Sequence, residues 1–166
     1  FDRFGYSLTA LEDGRFITIG GEQEDSYSPD YYIYNDVIVH SKEGQAKIFT
    51  YPKDVFPPTD GHTATLVGNW IYIIGCLGHL ESRVSGFTPV YRLNIADYNI
   101  ETLTTSGDMP GWIYHHQAVY LAESNSIQIF NGAQDRDISG KGDGLTAIRN
   151  DGIHLLQLDS LTWEKE

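Results

Sequence analysis

PTDGHTATLVGNWIYIIGCLGHLESRVSGFTPVYRLNIADYNIETLTTSG, residues 58–107, is the stretch whose reading decides the fold. Residues 62–67 and 70–74 are two short runs rich in β-branched and aromatic side chains. Gly68-Asn69 joins them, a pair suited to the tight turn of a hairpin. After a glycine stop and a longer loop, 90–95 and 100–104 make a second pair, turned at 96–99. Four strands in one continuous stretch imply a single antiparallel meander.

The same pattern extends in both directions. Gly5-Tyr6-Ser7-Leu8-Thr9-Ala10-Leu11 aligns with Gly61-His62-Thr63-Ala64-Thr65-Leu66-Val67, and His116-Gln117-Ala118-Val119-Tyr120-Leu121 follows them. Tyr6 and His62 are 56 positions apart, His62 and His116 are 54 apart. Each second strand ends at glycine punctuation, as Ile19-Gly20-Gly21, Ile74-Gly75-Cys76 and Phe130-Asn131-Gly132. Third strands are expected at 36–40, 90–95 and 153–158, and fourth strands at 46–51, 100–104 and 161–164. A period of this length marks an array of similar sheets rather than one irregular domain.

These units resemble the kelch repeat, with a glycine ahead of the first strand, Gly-Gly after the second and tryptophan in the fourth. The first unit keeps both glycines as Gly20-Gly21, and the third has Trp163, where the others carry Phe49 and Ile100. The stretches FPPTDGHTATLVG and TSGDMPGWIYHH are also similar to bacterial kelch-type proteins. The resemblance implies an all-β fold of three four-stranded antiparallel kelch-type propeller blades, at 1–56, 57–109 and 110–166, within one segment. That is a partial propeller, or half of a 3+3 assembly, because propellers typically need about four to eight blades to close. Two open sheet faces are then expected, to be covered by further repeats, by a second copy of the chain or by a partner protein.

Composition narrows the partners. With 23 acidic and 11 basic side chains the net charge is −12, which repels nucleic acid and anionic membrane surfaces alike. The single cysteine, Cys76, makes no internal disulfide, and no apolar run approaches the length of a membrane span. A cytoplasmic location is the expectation, with Phe1 in place of an initiator methionine suggesting a longer parent chain.

Connector lengths indicate where binding would occur. Links after first and third strands are short turns, whereas 22–35, 77–89 and 133–152 are long and emerge with the proline-bearing links at one end. Long loops on a rigid scaffold commonly carry function. The candidate binding surface comprises Glu24, Asp25, Asp30, Tyr31, Glu81, Arg83, Trp112, Asp135, Arg136 and Asp137. It is mainly acidic, with aromatic rings added by Tyr27 and Phe87. A protein segment bearing basic or aromatic residues is the natural counterpart.

Chemistry-bearing motifs are sparse. Asp135, Asp137, Ser139 and Asp143 occupy the first, third, fifth and ninth positions of a calcium-loop pattern, yet the closing glutamate is missing because Thr146 stands there. His115 and His116 read as neighbours on one strand, pointing to opposite faces, while His62 and His116 hold equivalent repeat positions that suit packing. Cys76 replaces the second glycine of its pair and reads as inert. No cofactor, catalytic residue or metal centre is assigned. The expected role is a noncatalytic protein-binding scaffold. The alternatives are an enzyme acting on a sugar or small polar substrate at an axial pocket and a self-assembling structural protein.

Overall fold

Alternation of apolar and polar residues, with glycine or asparagine at the turns, lays the chain out almost wholly as strands. The computed structural model describes residues 3–24, 31–137 and 144–166. In chain order, β1 (Ser7–Ala10) and β2 (Phe16–Ile19) are followed by β3 (Glu22–Glu24) and β4 (Tyr31–Ile33), then by β5 (Asp36–His40) and β6 (Ala46–Thr50). Next come β7 (Thr63–Val67), β8 (Trp70–Ile74), β9 (Val90–Asn94) and β10 (Ile100–Thr102). β11 (Ser106–Gly107) and β12 (Trp112–Tyr114) precede β13 (Gln117–Leu121) and β14 (Ser126–Phe130). β15 (Ala133–Arg136), β16 (Thr146–Arg149), β17 (His154–Gln157) and β18 (Thr162–Lys165) complete the order.

Three antiparallel meanders result. The first sheet runs β1-β2-β5-β6 and the second β7-β8-β9-β10. The third runs β13-β14-β17-β18, with β11 added in parallel along β18. The fold is therefore all-β, with antiparallel sheets built from the expected strands to within a residue or two at their ends.

The sheets stack face to face, and the alternation of side chains shows how. Ile17, Ile19, Val37 and Val39 of the first sheet share a core with Ile71, Ile73, Leu93 and Ile100 of the second. From the other side of the second sheet, Tyr72, Ile74 and Val90 join Ile127, Ile129, Leu156 and Trp163 of the third. Each sheet thus presents a front, toward the next sheet in the chain, and a back. The front of one packs on the back of its successor.

The repeated glycine is explained by that stacking. Gly20 and Gly75 have φ of 58° and 73°, a left-handed conformation that glycine adopts without a Cβ penalty. A Cβ on Gly20 would also run into the carbonyl of Thr59, and one on Gly75 into the carbonyl of Ile113. Both carbonyls belong to the segment entering the next sheet. Asn131 is the third counterpart, also left-handed at φ 60°, and no further sheet of the described chain follows it.

Of the three long links, 77–89 stays irregular apart from the 3-10 turn Leu80–Ser82, while the other two differ from the loops expected. Their backbone groups would be left unpaired if they ran irregularly over buried surface, and they pair among themselves instead. β3 pairs with β4, and β15 lies between β12 and β16 in a three-stranded sheet. His115 and His116 are not on a strand either: they occupy a bend between β12 and β13, where His115 takes φ 52°.

Leu93 is fully buried on the middle sheet, so Leu93→Ala is expected to cost about 2–5 kcal/mol in denaturant unfolding. A cost below about 1 kcal/mol would contradict the stack. Gly75→Ala is expected to cost more than about 1 kcal/mol, whereas Asn131→Gly at the equivalent position should leave the melting temperature almost unchanged.

Candidate functional site

In an antiparallel meander the links after the second and fourth strands leave from the same end. Contacts between those links bear this out here. Gly21 N–H donates to Thr59 O at 2.8 Å, Leu77 N–H to Asp60 O at 2.9 Å and Cys76 N–H to Ile113 O at 2.9 Å. Asp60 is fully buried, and its Oδ1 accepts the N–H of Gly78 at 2.8 Å. The PTDG sequence thus fastens the connector entering the second sheet to the link between that sheet's second and third strands.

Beside this junction the structure brings together three of the residues singled out from sequence. Arg83 Nη1 donates to Asp135 Oδ2 at 2.9 Å, and its Nη2 donates to Gly78 O at 3.0 Å. Tyr114 donates its hydroxyl to Asp135 Oδ1 at 3.1 Å. Trp112, paired across from Asp135 on the neighbouring strand, donates Nε1–H to Leu77 O at 3.1 Å. Burial, followed by the adjacent Asp135 carboxylate, pushes the Tyr114 hydroxyl above its ordinary pKa.

This placement corrects the surface expectation for Trp112 and Asp135. Asp135 is 2% exposed and Trp112 6%, because a carboxylate with two donors and an indole with a carbonyl partner can be taken out of water at tolerable cost. Neither is presented to a partner. Asp135 also lies on a strand with both oxygens engaged, so it is not an open first ligand of a calcium loop. Ser139 and Asp143 lie outside the described residues, as do Asp25 and Asp30.

The other predicted residues are spread out. Glu24 and Tyr31 face each other in the β3–β4 register. Glu81 is exposed on a short 3-10 turn, Leu80–Ser82. Arg136 is exposed, with Nε donating to Gln134 Oε1 at 3.2 Å, and Asp137 N–H donates to Ser85 Oγ at 3.3 Å. Sequence reading missed Tyr114 as the partner of Asp135, and it missed the exposed apolar side chains Tyr32, Leu80 and Val84. Isolated apolar letters inside polar links were their only signal.

Groups capable of chemistry are largely engaged internally. Asp36 accepts from Arg3 Nη1 at 2.6 Å and Nη2 at 2.9 Å. Burial drives the Cys76 thiol up to about 11, far from a reactive thiolate. His62 and His116 serve as ties between the starts of successive sheets, with His62 Nε2 2.8 Å from Ser7 Oγ and His116 Nε2 2.9 Å from Thr63 Oγ1. Burial lowers His62 to about 4, and burial, aided by the other histidines, lowers His116 to about 3. Among the described residues no three His, Cys, Asp or Glu side chains converge as metal ligands.

No family profile matches the chain, and no curated protein does. Among solved structures, one titled "Structure of YjhT" is similar at a TM-score of 0.47 and 12% identity, over 99% of this chain and 70% of that one. A likeness at that level carries no argument about family or activity.

Removing one member of the Arg83–Asp135 pair strands a buried charge, so Asp135→Leu is expected to cost about 3–5 kcal/mol. Arg83→Met combined with Asp135→Leu should recover much of that loss in a double-mutant cycle. The buried histidines set a pH dependence. In the unfolded chain they take up protons near 6.5, but in the folded protein only near 4 and 3, so their neutral form favours folding. Their contribution is complete above about pH 6.5 and lost as pH falls toward 4 and then 3. His62→Gln with His116→Gln should flatten that slope in urea titrations, and an unchanged slope would place the acid sensitivity elsewhere.

Proposed function

We propose that the chain is a noncatalytic protein-binding scaffold, a segment of a kelch-type propeller that meets its partner at the connector end. Face-to-face stacking of three meanders, with His62 bonded to Ser7 and His116 to Thr63 where successive sheets begin, supports the blade reading. One observation carries the binding reading. The connectors expose large apolar side chains, Tyr32 at 66%, Leu80 at 63%, Val84 at 54% and Phe87 at 42%, beside the exposed acids Asp54 and Glu81.

Apolar groups held in water without a fold-level use favour an interface. The acid-rich surround favours a partner segment carrying lysine or arginine together with aromatic residues. Arg83, Asp135 and Tyr114 at the same end are bonded to one another, which favours binding over chemistry there.

Selection of displayed random peptides against the protein is expected to enrich sequences with basic and aromatic residues. Their affinity should fall with added salt and drop at least ~tenfold, about 1.4 kcal/mol, on Leu80→Ser, Val84→Ser and Phe87→Ser combined. Equal binding by that triple variant would refute the connector surface.

A further inference from the structure

Where the connector entering the second sheet meets the link after β8 and strand β12, the chain encloses a cavity of about 40 Å³. Pro57, Pro58, Pro89, Tyr91, Trp112 and Cys76 give it an apolar wall. The polar atoms of that wall are spent on the protein itself. Trp112 Nε1–H donates to Leu77 O at 3.1 Å and the Cys76 thiol to Pro58 O at 3.7 Å, while proline has no N–H to satisfy. Thr59 and Gly78, both buried, also line it, with His79 half-buried and Ser82 exposed. The cavity therefore opens to water beside the 3-10 turn Leu80–Ser82.

Its size limits what can enter. An apolar cavity of about 150 Å³ holds benzene, so this one suits a methyl or isopropyl group and excludes a phenyl or indole ring. Three carbon atoms bound at the ceiling of ligand efficiency reach only about half-millimolar affinity, too little for a free small ligand. A side chain on a longer segment needs no such affinity, because the surface around the mouth holds the rest. Ser82 is two residues from Leu80 and two from Val84, and Pro89 is two from Phe87, the exposed apolar side chains of the connectors. A filled pocket ringed by weaker contacts is the anatomy of a binding hot spot. Arg83, next to Ser82, is bonded to Asp135 at 2.9 Å, and Lys53 stands beside Asp54, so the turn at the mouth keeps Glu81 as its exposed charge.

We propose that this cavity receives one valine-sized aliphatic side chain of the partner segment, set among that segment's basic and aromatic residues. The assignment rests on the connector end being the binding surface, and it adds the side chain that fixes the segment's register there.

The tightest peptide from the displayed selection, titrated calorimetrically into the whole chain, is the probe. Placing glycine, valine, leucine and tryptophan in turn at each of its positions is expected to reveal one position where valine binds best and where glycine or tryptophan each weakens binding at least ~tenfold. Cys76→Ala widens the cavity and should move the preference at that position from valine to leucine, with circular dichroism unchanged. The scan against wild type needs no altered protein, so it decides alone if Cys76→Ala does not fold. Tolerance of tryptophan at every position, or a valine preference that persists in folded Cys76→Ala, would overturn the cavity assignment. Should such a tolerant peptide still lose affinity on the combined Leu80, Val84 and Phe87 substitutions, the cavity fails and the connector surface stands.

Discussion

Ile71, Ile73 and Leu93 project from one side of the middle sheet and Tyr72, Ile74 and Val90 from the other, all of them buried. Everything else in the molecule answers to that two-sided burial. A sheet with both faces apolar needs a neighbour on each, and the first and third sheets are those neighbours. Their order of stacking then decides which backbone positions are crowded, which explains glycine at positions 20 and 75.

That stacking also determines where polar groups can be lodged. The starts of successive sheets are joined by imidazole-to-hydroxyl bonds, Ser7 to His62 and Thr63 to His116. At the connector end the tie is between opposite charges, Arg83 reaching Asp135 52 positions further along the chain. Charge in a chain so acidic is thus used in two ways. A few carboxylates are neutralised inside, and others stay in water, among them Glu12, Glu43, Asp97 and Glu123 at the short turns.

Much of this was legible in the sequence. Gly68-Asn69, the alternation through Trp70 and Ile74, and the spacing of Tyr6, His62 and His116 are local signals, and local signals gave the sheets and their order. What escaped was long-range. The pairing of β12 with β15 joins Trp112 to Asp135, and nothing near either residue announces the other. The links therefore read as open loops, and Trp112 and Asp135 as surface groups. His115 and His116 were misplaced for a different reason: a left-handed residue ends a strand, and histidine gives no glycine-like warning of it. Leu80 and Val84 were visible as letters, but their exposure depends on a turn that only the fold supplies.

The short strand β11 has an effect out of proportion to its length. Ser106 and Gly107 run parallel to Thr162 and Trp163, so the chain leaving the second sheet passes along the outer margin of the third before turning inward. Unpaired margins are where sheets recruit foreign strands and begin to form fibrils. This margin is partly occupied by the chain itself, next to the buried Trp163, and a stray strand would first have to displace a covalently tethered competitor.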